Sequence, residues 1–221
     1  INAAYYEGGT LKEHLSDIRC TFISEMISGI NIKCKGCKVC NKATSSVNHI
    51  CSLLLPITCL SNKENSTTLE KNLESYFMKK NLEPIVCENC RSAQTTMQEL
   101  KFVFTPTLLI IVLEKGVKGS YSLNPTLVDF PMELQNENLP DRTYDLISVV
   151  NYIGATTESG HYTACVKSVD DQWYKMDDDQ VSKTNPKAIV TRQARILFYR
   201  AREKKHMSLQ HNSNQTISTS L

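Results

Sequence analysis

No apolar run in the sequence is long enough to cross a bilayer as a helix, and no basic-apolar-small pattern marks a secretory leader. Net charge is nearly absent as well: 25 Lys and Arg against 23 Asp and Glu leave +2. The lysines are interspersed with acids, and no basic stripe with interleaved aromatics marks a nucleic-acid binder. The nine cysteines are odd in number and widely spaced, which argues against a disulfide framework. These absences read as a soluble intracellular protein, cytoplasmic or nuclear, with neither membrane nor nucleic acid as partner. With 221 residues, of which 41% are hydrophobic, the chain is long enough to bury a core and reads as one globular domain with an appended tail.

The most informative stretch is Ser159-Gly160-His161-Tyr162-Thr163-Ala164, followed after a short reversal by Gln172-Trp173-Tyr174-Lys175-Met176-Asp177-Asp178-Asp179. Read as strands over 161–169 and 172–176, joined by the acidic turn Val169–Gln172, these segments place His161 across a ribbon from Asp177. A carboxylate so placed can fix an imidazole's tautomer and stabilise the imidazolium, as catalysis by a general base requires. Gly160 allows either a positive φ or close approach of another segment.

The cysteines form a second constellation, Cys34-x-x-Cys37-x-x-Cys40 and Cys87-x-x-Cys90. Two C-x-x-C turns separated by a long insertion have the spacing of a tetrahedral zinc site, because each turn presents two thiolates to one metal. On spacing alone the first cluster offers two overlapping pairs. Four thiolates leave no open coordination position, so such a zinc would be structural. Cys51, Cys59 and Cys165 lie in apolar surroundings and read as core residues.

Elsewhere, Thr10-Leu11-Lys12-Glu13 has the form of a capping box, opening a helix with Leu11, Leu15, Ile18 and Phe22 on one stripe. Residues 30–57 alternate in short strand-like runs. Thr67-Thr68-Leu69-Glu70 caps a second helix, striped by Leu69, Leu73, Tyr76 and Phe77 and ended by Pro84. Leu108–Leu113 is a continuous apolar run of the kind found in strands buried on both faces, and Tyr144–Ile153 is another long strand. Residues 201–221 are polar and read as a disordered tail.

Gly-His-Tyr-Thr-Ala at 160–164, Trp-Tyr-x-x-Asp-Asp at 173–178, Val181-Ser182 and the closing Ile196-Leu197-Phe198-Tyr199 resemble, in order, the histidine box of the ubiquitin-specific proteases. The resemblance implies a partial papain-like cysteine protease fold of the α+β class, with zinc-ribbon-like β fingers and a mainly antiparallel palm sheet. It also implies thiol-dependent hydrolysis of the isopeptide bond at ubiquitin's C-terminal glycine, with ubiquitin and ubiquitinated proteins as partners. By the same resemblance His161 is the general base, Asp177 the third triad member and Asp178 a supporting acid. Cys37, Cys40, Cys87 and Cys90 become the zinc ligands, with Cys34 a spare thiol. The implied organisation is a helical lead-in over 1–28, fingers over 29–104 and palm over 105–200, then the tail.

Two departures stand against the pattern. The family's Leu-Lys-Arg-Phe strand ending is replaced by Leu113-Glu114-Lys115-Gly116, and no segment resembles its nucleophile box, Gly-Asn-Thr-Cys-Tyr at a helix start. Cys20, between Ile18 and Phe22, reads as a packing residue. Cys165 lies four residues along a strand from His161, about 13 Å at strand rise and beyond proton-transfer reach. The expectation is a portion of a longer protease whose thiol lies before Ile1, with this chain alone inactive. The alternative is a ubiquitin-binding pseudoenzyme or adaptor that uses the fingers without hydrolysis.

Overall fold

The computed structural model describes residues 5–6, 9–10, 13, 16, 21–57, 65–81, 84–94, 96–139 and 142–202. Helix α1 (Phe22–Ile27) starts at Thr21, whose Oγ1 accepts from the Ser24 amide at 3.0 Å while Ser24 Oγ accepts from the Thr21 amide at 3.1 Å. This is a capping box closed by serine in place of the usual Glu or Gln. Thr10 ends a short strand paired with Tyr5–Tyr6, an extended conformation of the kind an N-cap residue adopts, and Glu13 and Ser16 after it are helical. Most of residues 11–20, Cys20 included, lie outside the described residues, as does Cys59.

Strands β1 (Gly29–Cys37) and β2 (Ala43–Ile50) form a long antiparallel ribbon, followed by β3 (Leu53–Pro56). Helix α2 (Leu69–Phe77) is capped by Thr68, whose Oγ1 accepts from the Lys71 amide at 3.3 Å. It ends with Met78 as its C-cap, well before Pro84. Strand β4 (Thr96–Phe104) covers the other edge of β1, and Lys80–Asn81 covers β4. Beyond these lie β5 (Leu108–Glu114), β6 (Tyr144–Ile153), β7 (His161–Lys167), β8 (Trp173–Asp177), β9 (Gln180–Thr184) and β10 (Ala194–Ala201). They build an eight-stranded sheet in the order β9-β8-β7-β6-β10-β5-β3, with Glu133–Leu134 attached to β6. Every pairing in it is antiparallel except β5 with β3.

The sheet buries one face. Leu109, Ile111 and Leu113 of β5 alternate with the half-buried Leu108, Ile110 and Val112, so β5 is not buried on both faces as its apolar run suggested. The described residues supply a core on one side only, where Leu53, Leu55, Leu69, Leu73, Phe77, Leu197 and Tyr199 meet. The stretch 29–104 is therefore divided. Its ribbon forms a separate four-stranded sheet that meets the main core through Phe102, with Leu100 and Ile50 packed beside it, whereas β3 and α2 lie within that core.

Several of the large buried polar groups have partners. Tyr144 and Tyr199 donate their hydroxyls to Pro106 O and Pro131 O, each at 2.7 Å, consistent with the rule that a buried phenol finds a partner. Lys115, where the family motif carries arginine, is 1% exposed and donates to Thr126 O at 2.9 Å and Arg192 O at 2.8 Å. Burial holds its ammonium down to about 8, helped by the positive charges of Arg195 and Arg192.

Three local expectations change. Strand β7 ends at Lys167, because Ser168 begins the reversal: its amide donates to Gln172 O at 2.8 Å, and Asp171 turns with φ 62°. Cys51 is exposed in the bend between β2 and β3, whereas Cys165 is buried as expected. Ala201 completes β10, and Arg202 is tied to the sheet through Asp145 and Glu133. Residues 203–221 lie outside the described residues.

Candidate active site and metal centre

The register of β7 and β8 decides which side chains meet. Cys165 lies opposite Lys175, and continuing that register sets Asp177 opposite Thr163. His161, two residues before Thr163, then shares their face and sits diagonal to Asp177, within reach of its carboxylate. This face carries the buried Cys165 and Trp173, and His161 stands where it opens to solvent.

His161 Nε2 lies 2.6 Å from Asp177 Oδ1, and Lys175 donates from Nζ to Asp177 Oδ2 at 2.8 Å. Because the carboxylate accepts at Nε2, that nitrogen carries the proton and Nδ1 is the basic position of the neutral ring. Asp178 begins the two-residue connection to β9 with φ 51°, a left-handed conformation that aspartate adopts more readily than most residues. The ring nitrogen and one oxygen each of Asp177 and Asp178 lie within 4.8 Å of one another.

The Asp177 hydrogen bond raises the His161 pKa above its ordinary value, with Asp178 adding to it. The Lys175 and His161 contacts lower that of Asp177, in that order. The two contributions to stability therefore have opposite limits. That of His161 is complete below the unfolded-state pKa and is lost as pH rises through the folded value. That of Asp177 holds above its unfolded value and is lost as pH falls through the folded one.

The loop before His161 is tied at several points. Tyr152 Oη donates to Thr156 O at 2.7 Å, and the Thr157 amide donates to Tyr121 O at 2.9 Å. Gly160 permits the close approach allowed by the sequence reading rather than a positive φ, since a Cβ there would lie 2.4 Å from the Tyr152 ring. That ring also packs 4.9 Å from the Tyr162 ring and lies under the Arg195 guanidinium, so it cannot yield alone. Gly160→Ala is expected to cost about 1–3 kcal/mol, as overpacking does, and to displace the start of β7. Denaturant unfolding measures this, and unchanged stability would show that the ring moves freely.

At the ribbon tip, two knuckles of like backbone face each other. In each, the first cysteine's amide donates at 3.0 Å five residues on, Cys37 to Lys42 O and Cys87 to Ser92 O. In each, the residue after the second cysteine is left-handed, Asn41 at φ 55° and Arg91 at φ 60°. Cys37 and Cys90 Sγ are 3.7 Å apart and Cys40 and Cys87 Sγ 3.8 Å, with all four sulfurs within 4.8 Å of one another. A tetrahedral zinc with bonds of about 2.3 Å has sulfur–sulfur edges of about 3.8 Å, so the four thiols fit the metal. The Lys42 amide, followed by Asn89 and Cys37, holds the Cys40 thiol down to about 6. Cys34 stands outside the cluster, 3.3 Å from Ser45 Oγ across the β1–β2 pair.

The structure thus brings His161, Asp177 and Asp178 together at one place and Cys37, Cys40, Cys87 and Cys90 at another. Sequence reasoning missed the contacts of Lys175 and Tyr152. Lys175 carried a signal, two residues before Asp177 on the same strand face. Tyr152 carried none, because its contacts reach across to Gly160 and the loop.

The sheet carries the His–Asp pair, and the ribbon carries the four cysteines. The model of the ubiquitin carboxyl-terminal hydrolase family matches residues 11–199, and the chain belongs to that family, among the ubiquitin-specific proteases. It is 32% identical over 154 residues to human ubiquitin carboxyl-terminal hydrolase 15, covering 64% of this chain and 16% of that protein. It is 27% identical over 193 residues to ubiquitin carboxyl-terminal hydrolase 8 of Saccharomyces cerevisiae, covering 78% of this chain and 39% of that one. Among solved structures, a chain of the yeast SAGA DUB module superposes with a TM-score of 0.73 at 25% identity, over 86% of this chain and 45% of that chain. A SAGA DUB module bound to ubiquitin aldehyde gives a TM-score of 0.70 at 23% identity, over 87% and 48%. The chain thus spans less than half the length of each. No helix among the described residues is long and apolar enough to cross a membrane.

Proposed function

We propose that this chain is the fingers and palm of a ubiquitin-specific protease and supplies the base half of its active site. The observation that carries the reading is the 2.6 Å contact of His161 Nε2 with Asp177 Oδ1, which leaves Nδ1 as the basic nitrogen on the solvent-facing end of β7. Asp177 orients the ring and stabilises the imidazolium, and Asp178 supports the pair. A thiol from a part of the protein outside this sequence loses its proton to His161 and attacks the carbonyl after ubiquitin's terminal glycine. His161 then returns the proton to the leaving amine, and water releases the acyl group by the same exchange.

Cys37, Cys40, Cys87 and Cys90 would hold a zinc ion whose chemistry is structural, fixing the tip of the ribbon that grips the body of ubiquitin. The adaptor reading uses the ribbon alone and leaves the His161–Asp177 geometry without a task. The test is turnover of a ubiquitin C-terminal amide by the thiol-bearing protein, with and without the His161→Ala exchange. Retained turnover would remove His161 from the mechanism.

A further inference from the structure

Asp177 is a shared carboxylate: Oδ1 meets His161 Nε2 at 2.6 Å and Oδ2 meets Lys175 Nζ at 2.8 Å. Both contacts lie on the face of β8 that looks toward β7, where Lys175 pairs with the buried Cys165. The side chains of Lys175 and Asp177 are 43% and 34% exposed, so the pair adds little to folding stability. Its effect is on geometry. A carboxylate bonded through one oxygen can rotate about its terminal torsion, which is broad and roughly two-fold, and offer either oxygen to water. A carboxylate bonded through both oxygens cannot.

We propose that Lys175 is a positioning residue, anchoring Asp177 Oδ2 so that Oδ1 stays committed to the His161 Nε2–H and the ring is held with Nδ1 outward. The inference rests on the assignment of His161 as base. Lys175 also balances charge. Among the described residues, His161 is faced by two carboxylates, Asp177 and Asp178, and by one cation, Lys175. Across β6 the direct partner of His161 is Ile153, and Thr163 and Asn151 next on this face are neutral as well. Lys175 therefore acts on the imidazole in two ways, by orienting its partner and by opposing its protonation.

The test is nitrogen-15 NMR of the imidazole in the 221-residue chain, comparing the unaltered protein with Lys175→Met and Lys175→Arg. Methionine keeps the stem without the charge, and the partial exposure of Lys175 leaves the fold intact, which unchanged shifts in β5 and β10 verify. Lys175→Met is expected to speed exchange of the His161 Nε2–H with water several-fold, while the titration midpoint carries two opposed effects, the lost charge raising it and the loosened Asp177 bond lowering it. Lys175→Arg is expected to restore the slow exchange. If exchange stays the same in Lys175→Met, or if arginine fails to restore it, the positioning role is overturned. A separate outcome concerns the base itself: an Nδ1–H tautomer in the unaltered protein would contradict the assignment of His161, whatever Lys175 does.

Discussion

Replacing His161 with alanine in the thiol-bearing protein is expected to lower kcat for a ubiquitin C-terminal amide by on the order of 10⁴-fold or more, with a far smaller change in KM. The ring contributes in the transition state, where it carries the proton in transit, and little to binding of a partner the size of ubiquitin. The companion exchanges test the role of Asp177. Asp177→Asn leaves one acceptor oxygen for two donors, the His161 Nε2–H and Lys175 Nζ, and turning that oxygen to Lys175 presents the amide NH2 to the ring and disfavours the working tautomer. Asp177→Asn and Asp177→Ala are therefore both expected to lower kcat, by roughly 10²–10⁴-fold. Steady-state kinetics of the three variants check this. Unchanged kcat in Asp177→Ala would contradict the orienting role.

The second large effect is expected at the ribbon tip. Cys90→Ser, like Cys37→Ser, is expected to reduce bound zinc from about one ion per chain to a small fraction, because a structural site needs all four thiolates. The tip has little else to hold it. Val39 and Val86 beside the knuckles are exposed, and only Cys37 of the four ligands is buried. Loss of metal should therefore open the segments around Cys37–Cys40 and Cys87–Cys90 locally, while the eight-stranded sheet keeps its own core. Metal analysis with hydrogen exchange measures both outcomes. Unchanged zinc in both variants would sink the ligand assignment, and collapse of protection across β5, β6 and β10 would show that the metal also supports the palm.

The residues of both clusters were legible in the sequence because each carries a local signature. Two C-x-x-C turns announce a metal, and the box from Gly160 to Asp178 spans one hairpin, so its short reversal brings the His161 end of one strand beside the Asp177 end of the next. What was not legible depends on contacts distant in the chain. The apolar run at 108–113 looked buried on both faces, because sequence cannot say that the described core lies on one side of β5 only. Leu53–Pro56 read as one of the runs around the cysteines, yet its parallel pairing with β5 draws it into the main sheet. Gly160 announced some special need, but the Tyr152 ring that explains it lies eight residues back across a loop. Lys115 departs from the family's arginine, and its two backbone carbonyl partners, Thr126 and Arg192, are eleven and 77 residues away in the chain.

The most direct measurement of the central claim, that this chain holds the base and the ubiquitin grip but not the nucleophile, is its mass after incubation with ubiquitin carrying a thiol-reactive C-terminus. The account predicts no adduct on the 221-residue chain and, in the thiol-bearing protein, an adduct that maps to a cysteine outside this sequence. Robust adduct formation at Cys20 or Cys165 of the chain would contradict it.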